Sequence, residues 1–504
     1  MKKGKVYLIG AGPGDPGLLT VRGLELIKTC DAVVYDYLAN PRLLEHARAD
    51  AEKIYVGKKG GDHTLPQEDI NTLLVRLATN GKSVARLKGG DPYVFGRGGE
   101  EAEELVDAGV EFEVVPGVTS GVAGPAYAGI PITHRSFTST MAFITGHEDP
   151  DKQDTAIQWD KIATGVGTLV FYMGVKNLPM IAENLIKNGR SAKTPVALVR
   201  WGTTADQQTW IGTLETIADI ALREKVAPPT LIVVGEVISL RGRLNWFEKR
   251  PLFGKRIIVT RARAQASDFS RRLEEMGATT VEFPTIETVP PDSWDALDSA
   301  LARIREYDWL AFTSVNGVGY VMKRIAETGR DIRDLAGPKV CAIGKKTAAS
   351  LEALGIRVAL VPEEFRAEGI LSVIGEVGGK KILIPRAKEA REILPEELAK
   401  RGAKVDVVTA YRTVRPEGNK AEVLQLVRAG RMDMVTFASS STVSNFAGMF
   451  SPDELAEIIA KVPSASIGPI TTETAKKFGF KVLVEPKEYT IEAMTKAISA
   501  HFSS

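Results

Sequence analysis

The chain has 504 residues, more than one hydrophobic core usually serves, and 44% hydrophobic and 25% charged residues are values of a folded globular protein. Because 65 Lys and Arg nearly balance 63 Asp and Glu, we expect no nucleic-acid partner. No apolar run approaches the ~18 residues that span a bilayer, so we expect no membrane partner and a cytoplasmic location. Cys30 and Cys341 lack a metal-ligand spacing, so we expect no metal.

The chain opens with a predicted strand, and a glycine-rich loop over residues 10–17 leads from it into a helix. The loop fits the dinucleotide pattern G-x-G-x-x-G. However, Pro13 and Pro16 remove two backbone donors, and Asp15 adds a carboxylate where a pyrophosphate would sit. The loop therefore favours a ligand without phosphate that carries adenosine, an amino acid and a sulfonium. A tight turn that binds nothing is the alternative.

A second glycine-rich segment covers residues 86–101. The adjacent Gly89 and Gly90 allow backbone to approach a ligand closely, and Asp91 offers a carboxylate just before a proline. A loop with so much glycine is costly to order. This pattern predicts a functional loop on an α/β scaffold in preference to a packing element.

The second half of the chain contains an internal repeat. Residues 255–289 align without gaps on 380–414, at a spacing of 125 residues, and Ser314 meets Ser439 at the same spacing. Each copy alternates β-branched runs with helical patterns, which predicts two similar α/β lobes with parallel sheets and a binding cleft between them.

The first half resembles the uroporphyrinogen-III C-methyltransferases over nearly its whole length. The motifs that carry the resemblance are residues 10–20, 33–36, 56–59, 89–92, 114–120, 128–135 and 171–174. The resemblance implies two α/β domains of the tetrapyrrole-methylase fold, with S-adenosylmethionine in the cleft between them. It also implies a homodimer and two successive methylations of uroporphyrinogen III, at carbons 2 and 7, to give precorrin-2.

The same resemblance assigns residues to roles. Asp36 and Lys58 match the positions of the proton acceptor and proton donor, although a helix N-cap and a solvated lysine are the alternatives from the residues alone. The predicted cofactor contacts are Pro13, Gly89, Asp91, Val94, Thr119, Ser120, Met173 and Gly202. The predicted contacts to substrate carboxylates are Arg97, His134 and Arg135, with a structural role for His134 as the alternative.

The second half resembles uroporphyrinogen-III synthase. The motifs are residues 308–318, 342–348, 410–414, 437–443 and 466–471. The implied reaction closes hydroxymethylbilane with inversion of the last pyrrole ring and loss of water, without a cofactor. Tyr411 matches the family's recurrent tyrosine, with an ordinary half-buried strand tyrosine as the alternative. The other predicted contacts, at strand ends before helices, are Thr313, Ser314, Ser439, Ser440 and Thr471.

The boundary between the halves is expected near Pro251 and Gly254, where strand and helix alternation is interrupted. The expected parts are a methyltransferase over 1–247 (subdomains 1–115 and 116–247), a linker over 248–254, and a synthase over 255–504 (lobes 255–287 plus 415–504, and 288–414).

The rival hypothesis is a dinucleotide-binding oxidoreductase fused to a non-catalytic bilobal module. No segment resembles a dehydrogenase and ferrochelatase module, so precorrin-2 is the expected end product.

Overall fold

The computed structural model describes residues 3–57, 65–146, 156–261, 263–362, 367–389, 392–416 and 419–503. The chain forms two compact units. The first unit consists of Met1–Arg256, Arg272–Thr279 and Ser499–Ser504, and the second of Ile257–Arg271 and Thr280–Ile498. Within the described residues, no helix combines the length and apolar character needed to cross a membrane.

The first sheet of the first unit is parallel, with the strand order β3-β2-β4-β1-β5. Its elements are β1 (Lys5–Gly10), α1 (Val21–Ile27), β2 (Ala32–Tyr35), β3 (Glu52–Tyr55), α2 (Gln67–Thr79), β4 (Val84–Lys88), α3 (Gly98–Asp107) and β5 (Glu111–Val115). Central strands of a parallel sheet are covered on both faces, so they are usually continuous apolar runs. Strand β4 is buried throughout and nevertheless contains Arg86 and Lys88.

The second sheet of the first unit is mixed, with the strand order β6-β7-β10-β8-β9. Its elements are α4 (Ser120–Tyr127), β6 (Met141–Thr145), α5 (Trp159–Gly165), β7 (Thr168–Tyr172), α6 (Leu178–Lys187), β8 (Pro195–Arg200), β9 (Gln208–Thr213), α7 (Ile217–Arg223), β10 (Thr230–Val234) and α8 (Arg241–Leu244). Strand β10 runs antiparallel to both β7 and β8. The predicted α/β class is confirmed, whereas the antiparallel strands were not predicted.

The elements of the sequence repeat lie mostly in the second unit. These are β11 (Arg256–Val259), α9 (Arg263–Glu275), β12 (Thr279–Glu282), β13 (Glu287–Val289), α10 (Asp295–Ala302), β14 (Trp309–Phe312), α11 (Val315–Glu327), β15 (Lys339–Ala342), α12 (Lys345–Glu352), β16 (Val358–Leu360), α13 (Ala367–Val373), β17 (Lys381–Ala387), α14 (Ile393–Lys400), β18 (Lys404–Val414), α15 (Lys420–Arg428), β19 (Met434–Phe437), α16 (Ser440–Ala447), α17 (Pro452–Lys461), β20 (Ser464–Ser466), α18 (Pro469–Lys477), β21 (Val482–Val484) and α19 (Ile491–Ser503). The last residues of α9 and α19 belong to the first unit.

These strands form two sheets, with the orders β12-β11-β19-β20-β21 and β13-β18-β17-β14-β15-β16. Strands β11, β19, β20 and β21 pair in parallel, and so do β14 to β18, which confirms the predicted parallel α/β lobes. The short edge strand β13 pairs antiparallel with β18. Each sheet combines strands from both copies of the repeat, since β11 and β12 belong to the first copy and β19 to β21 to the second.

Three backbone segments of the first unit meet where β1, β4 and β5 end. A Cβ atom added at Gly10 would lie 2.4 Å from the Cα atom of Gly117 and 2.7 Å from the carbonyl oxygen of Gly90. Backbone atoms cannot move aside as the end of a flexible side chain can. Glycine at position 10 is therefore a packing requirement.

Replacing Gly10 with alanine is expected to lower the free energy of unfolding by about 1–3 kcal/mol, because the new methyl group overlaps backbone atoms of two neighbouring loops. The control is Gly99→Ala in α3, where an added Cβ has no neighbour within 4 Å. Calorimetric unfolding of both variants measures the difference. Equal stabilities for the two variants would contradict the packing argument.

Candidate functional site

The two glycine-rich segments of the sequence form one structure at the carboxyl edge of the first sheet. Gly12 and Gly90 exchange two backbone hydrogen bonds, of 3.2 Å and 2.7 Å. Both residues have positive φ, of 77° and 71°, a conformation that glycine adopts without steric cost. The loop after β1 and the loop after β4 are therefore fixed to each other.

The carboxylate of Asp15 holds the first loop in place. One oxygen accepts a hydrogen bond from the Gly17 N–H (2.8 Å), and the other accepts one from the Tyr127 hydroxyl (2.8 Å). The Asp15 N–H itself donates to the hydroxyl of Thr203 (3.1 Å). Burial raises the pKa of Tyr127, so this phenol stays protonated and remains a donor. The carboxylate that we expected to exclude a pyrophosphate from this loop is bonded within the protein.

Asp91 has the same function in the second loop. Its carboxylate accepts hydrogen bonds from the N–H groups of Tyr93 (2.8 Å), Val94 (3.2 Å) and Gly117 (2.9 Å). The last of these bonds joins the loop after β4 to the segment after β5. Val94 packs against a hydrophobic cluster of the second sheet.

Tyr172, at the end of β7, connects the second sheet to this site. Its hydroxyl lies 2.8 Å from the Thr119 hydroxyl and accepts the Gly121 N–H at 2.9 Å. Ser120 is the first residue of α4, and Met173 follows Tyr172 directly.

These contacts bring the predicted cofactor residues to one place. The loops after β1, β4 and β5 are joined through Gly90 and Asp91, and the loop after β8 is joined through Thr203, the neighbour of Gly202. The residues gathered in this way are Pro13, Gly89, Asp91, Val94, Thr119, Ser120, Met173 and Gly202.

Strained backbone marks the same region. The described residues other than glycine with positive φ are Phe95 (52°), Arg97 (57°), Met173 (55°), Trp201 (50°), Thr203 (75°) and Lys225 (52°). All but Lys225 lie in the loops after β4, β7 and β8. Such conformations cost about 1–3 kcal/mol each and persist at functional sites, where the surrounding structure enforces them.

A cavity of about 620 Å³ opens beside these loops. Its lining residues are Tyr93, Phe95, Arg97, Gly98, Gly99, Glu100, Glu103, Thr145 and Met173. The guanidinium of Arg97 is paired with Glu100 at 2.9 Å. His134 and Arg135 are not among the residues that line this cavity. They lie in a turn where the Nδ1 atom of His134 accepts the Ser136 N–H (3.2 Å) and Arg135 is exposed.

Asp36 lies at the end of a buried chain of charges that sequence reasoning missed. Its carboxylate is 3.3 Å from the guanidinium of Arg86, whose Nε lies 3.3 Å from the Glu101 carboxylate. Lys88 pairs with the same Glu101 oxygen, and the other Glu101 oxygen has no hydrogen bond to any residue that the structure describes. Arg86, Lys88 and Glu101 are all at most 4% exposed. Burial, followed by the positive charge of Arg86, lowers the pKa of Lys88. Lys58, the predicted partner of Asp36, lies outside the described residues.

In the second unit, Ser314 and Ser439 cap helices at equivalent positions of the repeat. Ser314 accepts the Gly317 N–H at 3.0 Å, and Ser439 accepts the Thr442 N–H at 3.3 Å. Thr313 directly precedes the first of these caps. Ser440 donates to the carbonyl of Ile470 (3.2 Å), and Thr471 is buried in α18.

Tyr411 adjoins the Ser314 cap. Its hydroxyl lies 3.0 Å from the Ser314 hydroxyl, and its ring stacks on Tyr320 with centroids 5.4 Å apart. The side chain is only 7% exposed. Packing therefore fixes the direction of the phenol. In the described part of the chain, no three His, Cys, Asp or Glu side chains are grouped so as to hold a metal ion.

Comparisons with known proteins cover both halves of the chain. The family described as tetrapyrrole (corrin/porphyrin) methylases matches residues 5–218, and the family described as uroporphyrinogen-III synthase HemD matches residues 267–496. The chain is 39% identical to the porphyrin biosynthesis protein HemD of Ruminiclostridium josui, over 98% of this chain and 97% of that protein.

Two further relatives match the first half. The uroporphyrinogen-III C-methyltransferase of Priestia megaterium is 57% identical over 47% of this chain and 99% of its own length. The uroporphyrin-III C-methyltransferase of Thermus thermophilus, in a crystal structure with S-adenosylhomocysteine, is 41% identical in sequence to this chain, with a TM-score of 0.41. The match covers 47% of this chain and 100% of that protein.

Replacing Glu101 with glutamine is expected to lower the free energy of unfolding by about 3–5 kcal/mol, because Arg86 and Lys88 then lose the carboxylate between them while they remain buried. The control is Glu104→Gln, an exposed position on the same helix, for which no measurable change is expected. Chemical denaturation of the two variants measures both effects. A Glu101 variant as stable as the control would show that the buried cations need no counter-charge.

Proposed function

This chain belongs to the family of proteins that join a tetrapyrrole methylase to a uroporphyrinogen-III synthase, and on that premise we propose that its two halves catalyse consecutive reactions. It is a bifunctional enzyme of tetrapyrrole biosynthesis, with uroporphyrinogen-III C-methyltransferase and uroporphyrinogen-III synthase activities. In the proposed sequence, hydroxymethylbilane is cyclised to uroporphyrinogen III with inversion of the last ring and loss of water. Uroporphyrinogen III is then methylated twice, at carbons 2 and 7, to give precorrin-2.

The use of backbone donors in the loop over residues 10–17 carries the proposal for the first half. Gly12 donates to Gly90, Asp15 donates to Thr203, and Gly17 donates to Asp15. The prolines at 13 and 16 have no N–H group. A diphosphate needs several free N–H groups of such a loop, so the loop suits a cofactor without phosphate. S-adenosylmethionine has no phosphate, and the relative from Thermus thermophilus binds its demethylated product.

When bound, S-adenosylmethionine supplies an electrophilic methyl group, which the protein must align with a pyrrole carbon. The cofactor contacts are Pro13, Gly89, Asp91, Val94, Thr119, Ser120, Met173 and Gly202. Asp91 acts by shaping its loop, since its carboxylate receives three backbone hydrogen bonds. The pyrrole rings occupy the cavity lined by Phe95 and Met173. Arg97, His134 and Arg135 bind the acidic side chains of the substrate.

Asp36 accepts the proton that leaves the ring system after methyl transfer, and Lys58 is the matching donor. Asp36 is partly exposed and touches the buried Arg86, so it is both accessible and held by a fixed cation. An ionised carboxylate in this position is suited to act as a base.

For the second half, we propose that Thr313, Ser314, Ser439, Ser440 and Thr471 contact the substrate. Ser314 and Ser439 stand at helix N-termini, where free N–H groups favour carboxylates. The phenol of Tyr411, held by Ser314 and Tyr320, assists departure of the hydroxyl group. This reaction needs no cofactor, because it forms the ring and releases water without a change of oxidation state.

The proposed organisation is a methyltransferase over 1–247, a linker over 248–254 and a synthase over 255–504, with dimerisation through the methyltransferase half. The test of function is incubation of the full chain with hydroxymethylbilane and S-adenosylmethionine, followed by mass spectrometry. We expect the two-methyl product. Formation of the type I macrocycle alone would contradict the synthase proposal, and calorimetric binding of NAD in place of S-adenosylhomocysteine would contradict the methyltransferase proposal.

Asp36→Asn is expected to lower the methylation rate by about 10²–10⁴-fold, because an amide cannot accept the proton. The methyl-transfer assay uses uroporphyrinogen III directly, so that the synthase half does not affect the result. Asp107→Asn, an exposed position at the end of α3, serves as the control and should retain the full rate. A fully active Asp36→Asn variant would exclude this residue as the base.

Tyr411→Phe is expected to lower the turnover number for type III product about tenfold or more, because the phenol no longer assists the leaving hydroxyl. The control is Tyr320→Phe, which removes the stacked neighbour's hydroxyl, bonded to the Thr288 carbonyl at 2.6 Å. Both variants are measured for turnover and for thermal unfolding. If the two variants lose activity only in proportion to stability, the role of Tyr411 is structural.

A further inference from the structure

Two arginines occupy equivalent positions of the repeat, and among the residues that the structure describes only one of them forms an ion pair. Arg261 aligns with Arg386 at the spacing of 125 residues. Arg386 lies near the end of β17, and Arg261 follows the end of β11 by one intervening residue. Both residues therefore lie near the carboxyl edge of their sheets, where ligands of parallel α/β sheets bind.

The strand registers place both arginines beside the serine caps. Ile257 pairs with Met434 and Val259 with Thr436, so the same register brings Arg261 level with Ala438, the residue before Ser439. In the other sheet, Leu310 pairs with Leu383, which brings Arg386 level with Thr313, the residue before Ser314.

The surroundings of the two charges differ. Arg386 is buried and forms an ion pair with Glu392. Arg261 is partly buried, and within the described part of the chain it has no hydrogen bond or ion pair. The acidic groups whose fields reach it are Asp268, which is paired with Arg271 at 2.8 Å, and Glu492.

The sequence explains this difference. Glu392 aligns with Ser267 in the first copy of the repeat, so the first copy has no carboxylate at the position that pairs with Arg386 in the second. Burial lowers the pKa of Arg261, which indicates that loss of solvent is not balanced by a partner. A partly buried guanidinium without a counter-ion is costly unless a ligand supplies one.

We propose that Arg261 binds a carboxylate of the linear bilane in the synthase reaction, an inference that rests on the proposed function of the second half. The guanidinium group offers parallel donors that match a carboxylate in a bidentate pair. Because Arg386 is already paired with Glu392, the two otherwise similar lobes differ in charge at equivalent positions. This difference distinguishes the two ends of a linear substrate, only one of which undergoes ring inversion.

The test compares Arg261→Gln, Arg261→Lys and the control Arg357→Gln, an exposed arginine of the same unit, in the full chain. Initial rates of type III formation are measured against hydroxymethylbilane concentration. We expect the KM of Arg261→Gln to rise about tenfold or more, with a smaller change in kcat, because a charge-assisted bond to the substrate is lost. The lysine variant should have an intermediate KM, since it retains the charge. The control should match the wild type.

Ionic strength gives a second measurement that a purely structural role would not affect. The KM of the wild type should rise with salt more steeply than that of Arg261→Gln, because one ion pair with the substrate is missing in the variant. An unchanged KM in Arg261→Gln, equal salt dependences, or a lysine variant no better than the glutamine variant would overturn the inference. A wild-type chain that forms only the type I macrocycle would overturn the proposed function, and this inference with it.

Discussion

The hydrogen bonds between the loop after β1 and the loop after β4 constrain what the first unit can bind. Gly12 and Gly90 pair across these loops, and Asp15 uses the N–H of Gly17 and the hydroxyl of Tyr127. Each of these hydrogen bonds uses an N–H group or a carboxylate that would otherwise be available to a ligand. These polar groups are satisfied within the protein, and the proposed preference for a cofactor without phosphate rests on the same bonds.

A second constraint is electrostatic. Arg86, Lys88 and Glu101 are buried together beneath Asp36, so any change in the charge of Asp36 acts on a group that water screens poorly. The three buried groups carry one net positive charge when all are ionised. The carboxylate of Asp36 balances it from the edge of the site, which ties the proposed base to the stability of the sheet beneath it.

Much of the fold could be predicted because its signals are local or repeated. The strand before the loop at residues 10–17 and the alignment of Ser314 with Ser439 needed only the printed sequence. The antiparallel strand β10 could not be predicted, since a buried apolar run such as Thr230–Val234 has the same composition in either direction.

The limits at the site have a similar cause. The role of Asp15 depends on Tyr127 and Thr203, more than a hundred residues away in the chain, and no local pattern reports such a partner. One feature of the sequence indicates the buried charges, namely the two cationic residues within the otherwise apolar strand β4. Glu101 is indistinguishable by sequence from the exposed acidic residues that follow it in α3.

The interleaving of the two repeat copies in the second unit has a consequence for how this part of the protein arose and how it assembles. One sheet joins β11 and β12 of the first copy to β19, β20 and β21 of the second, and the other joins β17 and β18 of the second copy to strands of the first. Neither copy alone supplies a complete sheet, so an ancestral single copy would have needed a twin chain to complete its core, as in a domain-swapped dimer. Fusion of the genes would have turned this intermolecular exchange into an intramolecular one. During synthesis on the ribosome, the sheet that contains β11 must then wait for β19, far downstream, before it can close.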